Sequence, residues 1–216
     1  MEVLIITGGS IDIEYAENYV KNRHFDRIIA ADSGLSHCRD IGLVPTDIIG
    51  DFDSLADQAL LECCREQGIP IHTHPVRKDY TDTHLAVLFA AEGKPDQITI
   101  LGATGSRYDH AIANIGLLGY LADRKISCRI VDAGNQMEIL AGPAKKEYRK
   151  DPELPFFSLI AWGGDASGIS LTGFSYPLKD AVLTPYISLG ISNEITEETA
   201  AVEVKNGHLL IIRSRD

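Results

Sequence analysis

The chain has 216 residues, of which 44% are hydrophobic, and it carries a formal net charge of −11. This length and composition indicate a globular protein with one large domain or two small ones. The negative charge argues against a broad nucleic-acid-binding surface, because such a surface needs a basic face. No apolar run approaches the roughly 18 residues that a membrane-spanning helix needs. We therefore expect binding to neither nucleic acid nor a membrane.

The cysteines and the first residues indicate a reducing compartment. Cys38, Cys63, Cys64 and Cys128 form no CxxC pair and show no recurring spacing, so the sequence suggests neither a zinc site nor a disulfide framework. The apolar residues after Met1 lack a basic region and a cleavage site, and they are typical of a first strand rather than a signal peptide. We expect a soluble, cytoplasmic protein.

The first 122 residues alternate between strand-like and helix-like patterns. Strands are predicted at 2–7, 27–31, 47–50, 69–74 and 97–101. Helices are predicted at about 10–22 with Ser10 as N-cap, around Leu35, Cys38 and Ile41, and at about 56–67, 83–91 and 110–122. This alternation indicates an α/β fold: a mainly parallel sheet with helices on both faces.

Glycines or charged residues follow each of these predicted strands. In chain order they are Gly8-Gly9, Asp32, Asp51 and Asp53, then Lys78, Asp79 and Asp82, and finally Arg107 and Asp109. In a parallel sheet, ligands bind outside the carboxyl ends of the strands. The sequence therefore predicts one functional edge that carries both carboxylates and cations.

Asp51 and Asp53 are the most distinctive pair on this edge. They lie one residue apart just after an apolar run, and in a turn two such carboxylates can converge on one divalent cation. Magnesium is the expected ion, because proteins usually bind it through one or two carboxylates together with substrate phosphates. The alternative is a surface turn with two solvated acids.

After about residue 122 the helical pattern stops. Strand-like pieces at 128–131, 137–140, 156–162, 168–171 and 182–183 are separated by Gly, Pro, Asn and Asp. Alternating residues flank Asn206-Gly207, which predicts a hairpin with a type I′ turn. We therefore expect a separate antiparallel β-domain, a sandwich, over residues 126–216, after an α/β nucleotide-binding domain over residues 1–125.

The predicted edge suits phosphoryl transfer, in which metal ions, Lys and Arg neutralise charge. Lys78 and Arg107 can meet phosphate oxygens as a point charge and as a bidentate fork. Other interpretations stay open at this stage. Arg107 and Asp109 can be an ordinary loop ion pair, and Asp82 can simply begin a helix.

Several motifs together resemble those of the thiamine pyrophosphokinase family, in the family's order and over nearly the whole chain. They are ADSG (31–34), IGDFDS (49–54), KDYTDT (78–83), GATGSRYDH (102–110) and SLGISNE (188–194). The set is highly specific, whereas any single member is modest.

The resemblance implies an activity and a set of roles. It implies Mg²⁺-dependent transfer of a pyrophosphoryl group from ATP to the thiamine hydroxyl, with release of AMP, by a homodimer. The implied metal ligands are Asp51, Asp53 and Asp82, which with Arg107 form the catalytic set. The implied ATP site comprises Gly8, Gly9, Asp32, Lys78, Thr81, Arg107 and Asp109. Ser192 and Asn193 are the implied thiamine contacts, although without the resemblance they are typical of a turn between strands.

The chain departs from the family pattern at a few positions, and these departures leave the charged site positions intact. Ser33 replaces a frequent glycine, Leu35-Ser36 a usual Ala-Asn, His84 a usual Glu and Ser106 a usual Gly. Three other functions fit the residues less well: pyrophosphoryl transfer to a hydroxymethyl-pterin, a phosphatase with Asp51 as nucleophile, and a non-catalytic nucleotide or thiamine sensor.

Overall fold

The first half of the chain alternates strands and helices, as predicted. A computed structural model describes residues 1–52, 57–75 and 79–216. The strands are β1 (Glu2–Ile6), β2 (Arg27–Ala31), β3 (Asp47–Gly50), β4 (Ile71–Thr73), β5 (Gln97–Leu101) and β6 (Ser127–Val131). The helices are α1 (Ile13–Lys21), α2 (Gly34–Asp40), α3 (Gln58–Glu66), α4 (Asp82–Glu92) and α5 (Tyr108–Ala122).

These strands form a parallel sheet in the order β4-β3-β2-β1-β5-β6. Four successive residues of β1, Val3 to Ile6, are fully buried. Because successive strand residues point to opposite faces, both faces of the sheet are covered. The strand order changes direction at β1, between β2 and β5, and such a switch point opens a crevice at the carboxyl ends of the strands.

The start of α1 differs from the prediction. Asp12, not Ser10, is its N-cap, because the Asp12 carboxylate accepts a hydrogen bond of 2.9 Å from the Tyr15 amide. The Ser10 amide instead donates to the Thr104 carbonyl at 2.7 Å. α3 is capped in the same way by Asp57, while its predicted start at Ala56 lies outside the described residues.

The chain forms two compact units, one comprising residues 1–117 and 124–133 and the other residues 118–123 and 134–216. The grouping of the strand at 128–131 with the C-terminal strands was wrong. That strand is β6, which pairs in parallel with β5 and so extends the first sheet. No helix in the described part of the chain is long and apolar enough to cross a membrane.

The second unit is antiparallel. Its strands are β7 (Asn135–Ala141), β8 (Ala144–Arg149), β9 (Phe156–Thr172), β10 (Leu178–Leu183), β11 (Asn193–Glu194), β12 (Thr199–Val204) and β13 (Asn206–Ser214). They are ordered β7-β13-β9-β12-β8, and β10 and β11 also pair with β9. Phe157 is central to its core, with its ring edge-on to Tyr148 and Phe174 at 4.9 Å each.

The predicted hairpin at Asn206-Gly207 was wrong. β12 and β13 pair not with each other but one after the other along the same edge of β9, from Ala201 opposite Thr172 to Asn206 opposite Ser167. Of the two turn residues only Gly207 has a positive φ, at +85°, whereas a type I′ turn needs two. β9 also joins the two strands predicted separately at 156–162 and 168–171, and Gly163 and Gly168 within it have positive φ.

Candidate active site

A cavity of about 480 Å³ opens at the carboxyl edge of the parallel sheet, inside the first unit. It lies at the switch point, where the turns that follow β1, β2 and β5 meet the start of α4. Its walls are Thr7–Ser10, Ala31–Ser33, His37, Thr81–Thr83, Gly102–Arg107, His110 and Asn114. The prediction of a ligand site at this edge agrees with the position of the cavity.

Two glycine-containing turns form one wall and lie against each other. The Gly9 amide donates to the Gly102 carbonyl at 2.8 Å, and the Thr7 hydroxyl donates to the same carbonyl at 2.6 Å. A Cβ atom at Gly9 would lie 2.2 Å from that oxygen. Only glycine therefore allows the two backbones to approach so closely.

The carbonyl groups of these turns are bound by donors of the protein. Asn114 Nδ2 donates to the Ala103 carbonyl at 2.8 Å, and the Gly9 carbonyl meets His37 Nε2 at 3.0 Å. The carbonyls of Gly102 and Thr104 accept the amides of Gly9 and Ser10. Because these carbonyl oxygens accept hydrogen bonds from the protein, they are not directed at a bound anion and do not repel it. The wall therefore suits a phosphate that lies close to the backbone of the glycines.

Asp32 and Asp82 bring carboxylates to the cavity. Asp32 follows β2 with φ +49°, and its amide donates to the Ile49 carbonyl at 2.8 Å. Asp82 is the first residue of α4, and the Thr81 hydroxyl caps that helix by accepting from the His84 amide. Asp82 therefore begins a helix and also lines the cavity, so the two interpretations of this residue are compatible.

Asp51 directly follows Gly50, the last residue of β3. A Cβ atom at Gly50 would lie 3.1 Å from Asp32 Cα, so the two strand ends touch. Phe52 has φ +60° although its ring is buried in the core. A bulky residue in this conformation is strained, and such strain clusters at functional sites. Asp51 itself is not in the cavity wall, and Asp53 lies outside the described residues.

Arg107 and Asp109 form an exposed bidentate ion pair. Arg107 donates through Nη2 and Nε to the two Asp109 oxygens at 2.6 and 3.2 Å. These bonds lower the pKa of Asp109 to about 2. Arg107 also lines the cavity, and because exposed pairs contribute little, exchange of Asp109 for a ligand phosphate would cost little. Lys78, the other predicted cation, lies outside the described residues.

The oxygen-rich wall fits a hard cation. Within residues 1–52, 57–75 and 79–216, no three His, Cys, Asp or Glu side chains form a metal-binding group. Magnesium needs only one or two carboxylates when phosphates supply other ligands. The carboxylates of Asp32 and Asp82 and the nearby hydroxyls are oxygen donors of this class. The ligand set Asp51, Asp53 and Asp82 stays a prediction.

The predicted thiamine residues lie in the second unit. Ser192 is exposed with φ +55°, and its amide donates to the Ser158 hydroxyl at 3.0 Å. Asn193 is buried, and its side chain bonds both the amide and the carbonyl of Tyr176 at 3.0 and 2.9 Å. Ser192 is therefore available to a ligand, whereas Asn193 fixes the loop to its neighbour.

Sequence reasoning missed His37 and Asn114 in the cavity wall. Asn114 lies four residues after His110 and so on the same face of α5, a spacing that could have indicated it. Nothing in the sequence distinguishes His37, because its contact with the Gly9 carbonyl depends on which strands are neighbours.

Known proteins match the chain over both units. Residues 17–130 match the family model for the thiamin pyrophosphokinase catalytic domain, and residues 146–211 match that for the thiamin pyrophosphokinase vitamin B1 binding domain. The chain is 35% identical over 189 residues to thiamine pyrophosphokinase from Bacillus subtilis, with 87% of each chain covered. The crystal structure of thiamine pyrophosphokinase from Bacillus subtilis is similar over 100% of both chains, with TM-score 0.89 and 31% identity. The crystal structure of thiamin pyrophosphokinase from Geobacillus thermodenitrificans is similar over 100% of this chain and 98% of the Geobacillus chain, with TM-score 0.86 and 28% identity. The chain therefore belongs to the thiamine pyrophosphokinase family.

Proposed function

We propose that the protein transfers the pyrophosphoryl group of ATP to the hydroxyl of thiamine, giving thiamine diphosphate and AMP, with Mg²⁺. The observation that carries the proposal is the switch-point cavity with its paired glycine turns, which lies within the unit that matches the catalytic family model. Its glycine backbone, its carboxylates and Arg107 suit a metal-bound polyphosphate.

The nucleotide and its phosphates occupy this cavity in our proposal. Gly8 and Gly9 allow the phosphates to approach the backbone, and Arg107 leaves Asp109 to bind a phosphate as a bidentate fork. Lys78 contributes a second positive charge. Asp32 and Thr81 line the wall and orient the nucleotide, which places the β-phosphorus for in-line attack by the thiamine hydroxyl.

Asp51, Asp53 and Asp82 would hold Mg²⁺. When bound, the ion screens the charge of the polyphosphate and the charge that develops during transfer. The protein's part is positioning: Asp82 is fixed by the capped start of α4, and Asp51 by the packing of Gly50 on Asp32.

The antiparallel unit, residues 118–123 and 134–216, contributes thiamine recognition in this proposal. The exposed Ser192 contacts thiamine, and Asn193 acts mainly by holding the loop through Tyr176. The family model for vitamin B1 binding matches within these residues. The α/β unit, residues 1–117 and 124–133, binds the nucleotide.

We also propose a cytoplasmic homodimer that binds neither nucleic acid nor a membrane. The cysteines are free thiols, in keeping with a reducing compartment. Residues 176–191, here called the apolar segment, carry exposed large apolar side chains: Tyr176, Val182, Tyr186, Ile187, Leu189 and Ile191. Such a concentration is typical of a protein–protein contact surface.

Incubation of the purified protein with ATP, Mg²⁺ and thiamine tests the reaction. Chromatography should show thiamine diphosphate and AMP in equal amounts, with neither formed when thiamine or Mg²⁺ is omitted. A hydroxymethyl-pterin offered as acceptor should give no AMP. Release of ADP or inorganic phosphate instead of AMP, or binding of ATP and thiamine without turnover, would overturn the proposal.

A further inference from the structure

Two side chains on one face of α2 hold the Gly8–Gly9 turn. Ser33 precedes α2 and His37 lies four residues later, so both point to the same side. A Cβ atom at Gly8 would lie 1.9 Å from the Ser33 hydroxyl oxygen, which shows that Ser33 covers Gly8. His37 Nε2 lies 3.0 Å from the Gly9 carbonyl oxygen. Both side chains also line the cavity.

The peptide unit between Gly9 and Ser10 is held at both ends. Its carbonyl faces His37 on the β2 side, and its amide donates to the Thr104 carbonyl at 2.7 Å on the β5 side. Two hydrogen bonds in opposite directions fix the plane of this peptide. A peptide that follows the Gly8-Gly9 pair would otherwise rotate easily, because glycine restricts φ and ψ least.

The geometry also assigns the protonation state of the imidazole nitrogens. A carbonyl oxygen only accepts hydrogen bonds, so His37 Nε2 carries the hydrogen. His37 Nδ1 is buried and has no hydrogen-bond partner in the part of the chain that the structure describes. Among the described residues, the imidazole therefore forms its hydrogen bond with the Gly9 carbonyl alone.

We propose that His37 is a positioning residue for the polyphosphate of the nucleotide, an inference that rests on the proposed use of this cavity for ATP. By binding the Gly9 carbonyl, His37 keeps that dipole turned away from the phosphates. When the bond is lost, only the Ser10 amide bond to Thr104 still holds the Gly9–Ser10 peptide. Its carbonyl oxygen can then turn toward the cavity and repel an anion at the wall. The defect then falls on the nucleotide and not on thiamine.

The test uses two amide side chains of different reach. In His37→Gln the side-chain amide nitrogen extends about as far as the Nε2 atom of histidine, so it can restore the hydrogen bond to the Gly9 carbonyl. In His37→Asn the amide nitrogen extends only as far as the histidine Nδ1 atom, so it cannot. We expect His37→Asn to raise the Michaelis constant for ATP by about fivefold, the effect of one lost hydrogen bond, with the constant for thiamine unchanged. His37→Gln should resemble the wild type. The exposed residue His24 supplies the control His24→Asn, which should change neither constant.

Calorimetric titration of each variant with Mg-ATP in the absence of thiamine separates this inference from the proposed reaction. Weaker binding to His37→Asn supports the role of His37 even if the wild type forms no thiamine diphosphate. Equal ATP affinity for wild type, Gln and Asn variants overturns the inference and leaves the proposed reaction standing. Equal loss in the Gln and Asn variants, or equal effects on both substrates, would also overturn it.

Discussion

Gly9 occupies the narrowest point between the turns that follow β1 and β5. A methyl group there would lie 2.2 Å from the Gly102 carbonyl oxygen and 2.3 Å from that of Thr104. Both neighbours are backbone atoms, so neither can move aside by a rotamer change. We expect Gly9→Ala to separate the turns, to lower the rate of thiamine diphosphate formation at least tenfold and to lower the melting temperature.

Gly116 provides the matched control for this substitution. It lies within α5, and a Cβ atom there would meet nothing within 4 Å. Because alanine favours a helix over glycine by about 1 kcal/mol, Gly116→Ala should leave activity unchanged and should not lower the melting temperature. If Gly9→Ala matched this control in both measurements, close packing of the turns would not be required.

Removal of a single carboxylate tests the metal ligands. We expect Asp51→Asn and Asp82→Asn each to lower the turnover number by about a hundredfold or more, because a ligand charge that supports the cation is lost. Circular dichroism should show an intact fold. The loss should be partly recovered at raised Mg²⁺ concentration, which distinguishes a weakened metal site from a damaged nucleotide wall.

Asp96 is a suitable control, since its side chain is 83% exposed and pairs with the amino terminus outside the cavity wall. Asp96→Asn should retain full turnover. Wild-type rates in both Asp51→Asn and Asp82→Asn would contradict the proposed metal site.

The sequence allowed site residues to be predicted where charged residues or glycines recur at the ends of successive strands. Asp32, Asp82 and Arg107 were predicted in this way, and all three line the cavity. His37 and Asn114 could not be assigned, because a single His or Asn on a helix has the same appearance whether it faces solvent, core or ligand. Their partners are backbone carbonyls, which a sequence pattern does not identify.

At the scale of elements, one carboxylate links three neighbouring strands. Asp47 in β3 accepts a 2.9 Å bond from Arg27 of β2 and a 3.2 Å contact from His72 of β4. The Asp47 side chain is only 12% exposed. Burial alone would raise its pKa, but the bonds from Arg27, Thr46 and His72 outweigh burial and lower it.

This lowered pKa predicts a pH-dependent contribution to stability. A carboxyl group with a depressed folded-state pKa stabilises the fold above its unfolded pKa, about 3.9, and loses this effect as the pH falls through the folded value. We expect Asp47→Asn to lower the free energy of unfolding by about 1–3 kcal/mol at pH 7. The difference from wild type should shrink below about pH 4 in urea titrations.

Asp180 gives the comparison, because it pairs with Lys205 while its side chain is 67% exposed. Asp180→Asn should change stability little at any pH. A difference between wild type and Asp47→Asn that stayed constant from pH 7 to pH 3 would show that the charge of Asp47 has no part in joining the strands.

The elements themselves could be predicted to different degrees. β2 and β5 agree with prediction at both ends, because short apolar runs bounded by charged or turn residues define buried strands. The hairpin at Asn206-Gly207 could not be recognised as wrong, since its local pattern is correct for strands. What decides the pairing is the distant β9, along which β12 and β13 pair one after the other.

For the molecule as a whole, charge and apolar surface are distributed unevenly. The chain carries a net charge of −11, yet residues 181–191 contain no charged side chain. General repulsion between acidic molecules opposes association. Any stable dimer therefore needs a local surface that overcomes the repulsion, and the apolar segment, with Tyr186 94% and Leu189 58% exposed, is the surface that we propose for this role.

Charge placed in this segment should prevent association. We expect the wild type to sediment as a dimer and the double variant Tyr186→Asp/Leu189→Asp to sediment as a monomer at the same concentration, because two carboxylates would have to be buried without partners. Val44, 65% exposed in the other unit, supplies the control: Val44→Asp should remain dimeric. A monomeric wild type would contradict the proposed homodimer. A dimeric double variant would show instead that the copies meet through a different surface.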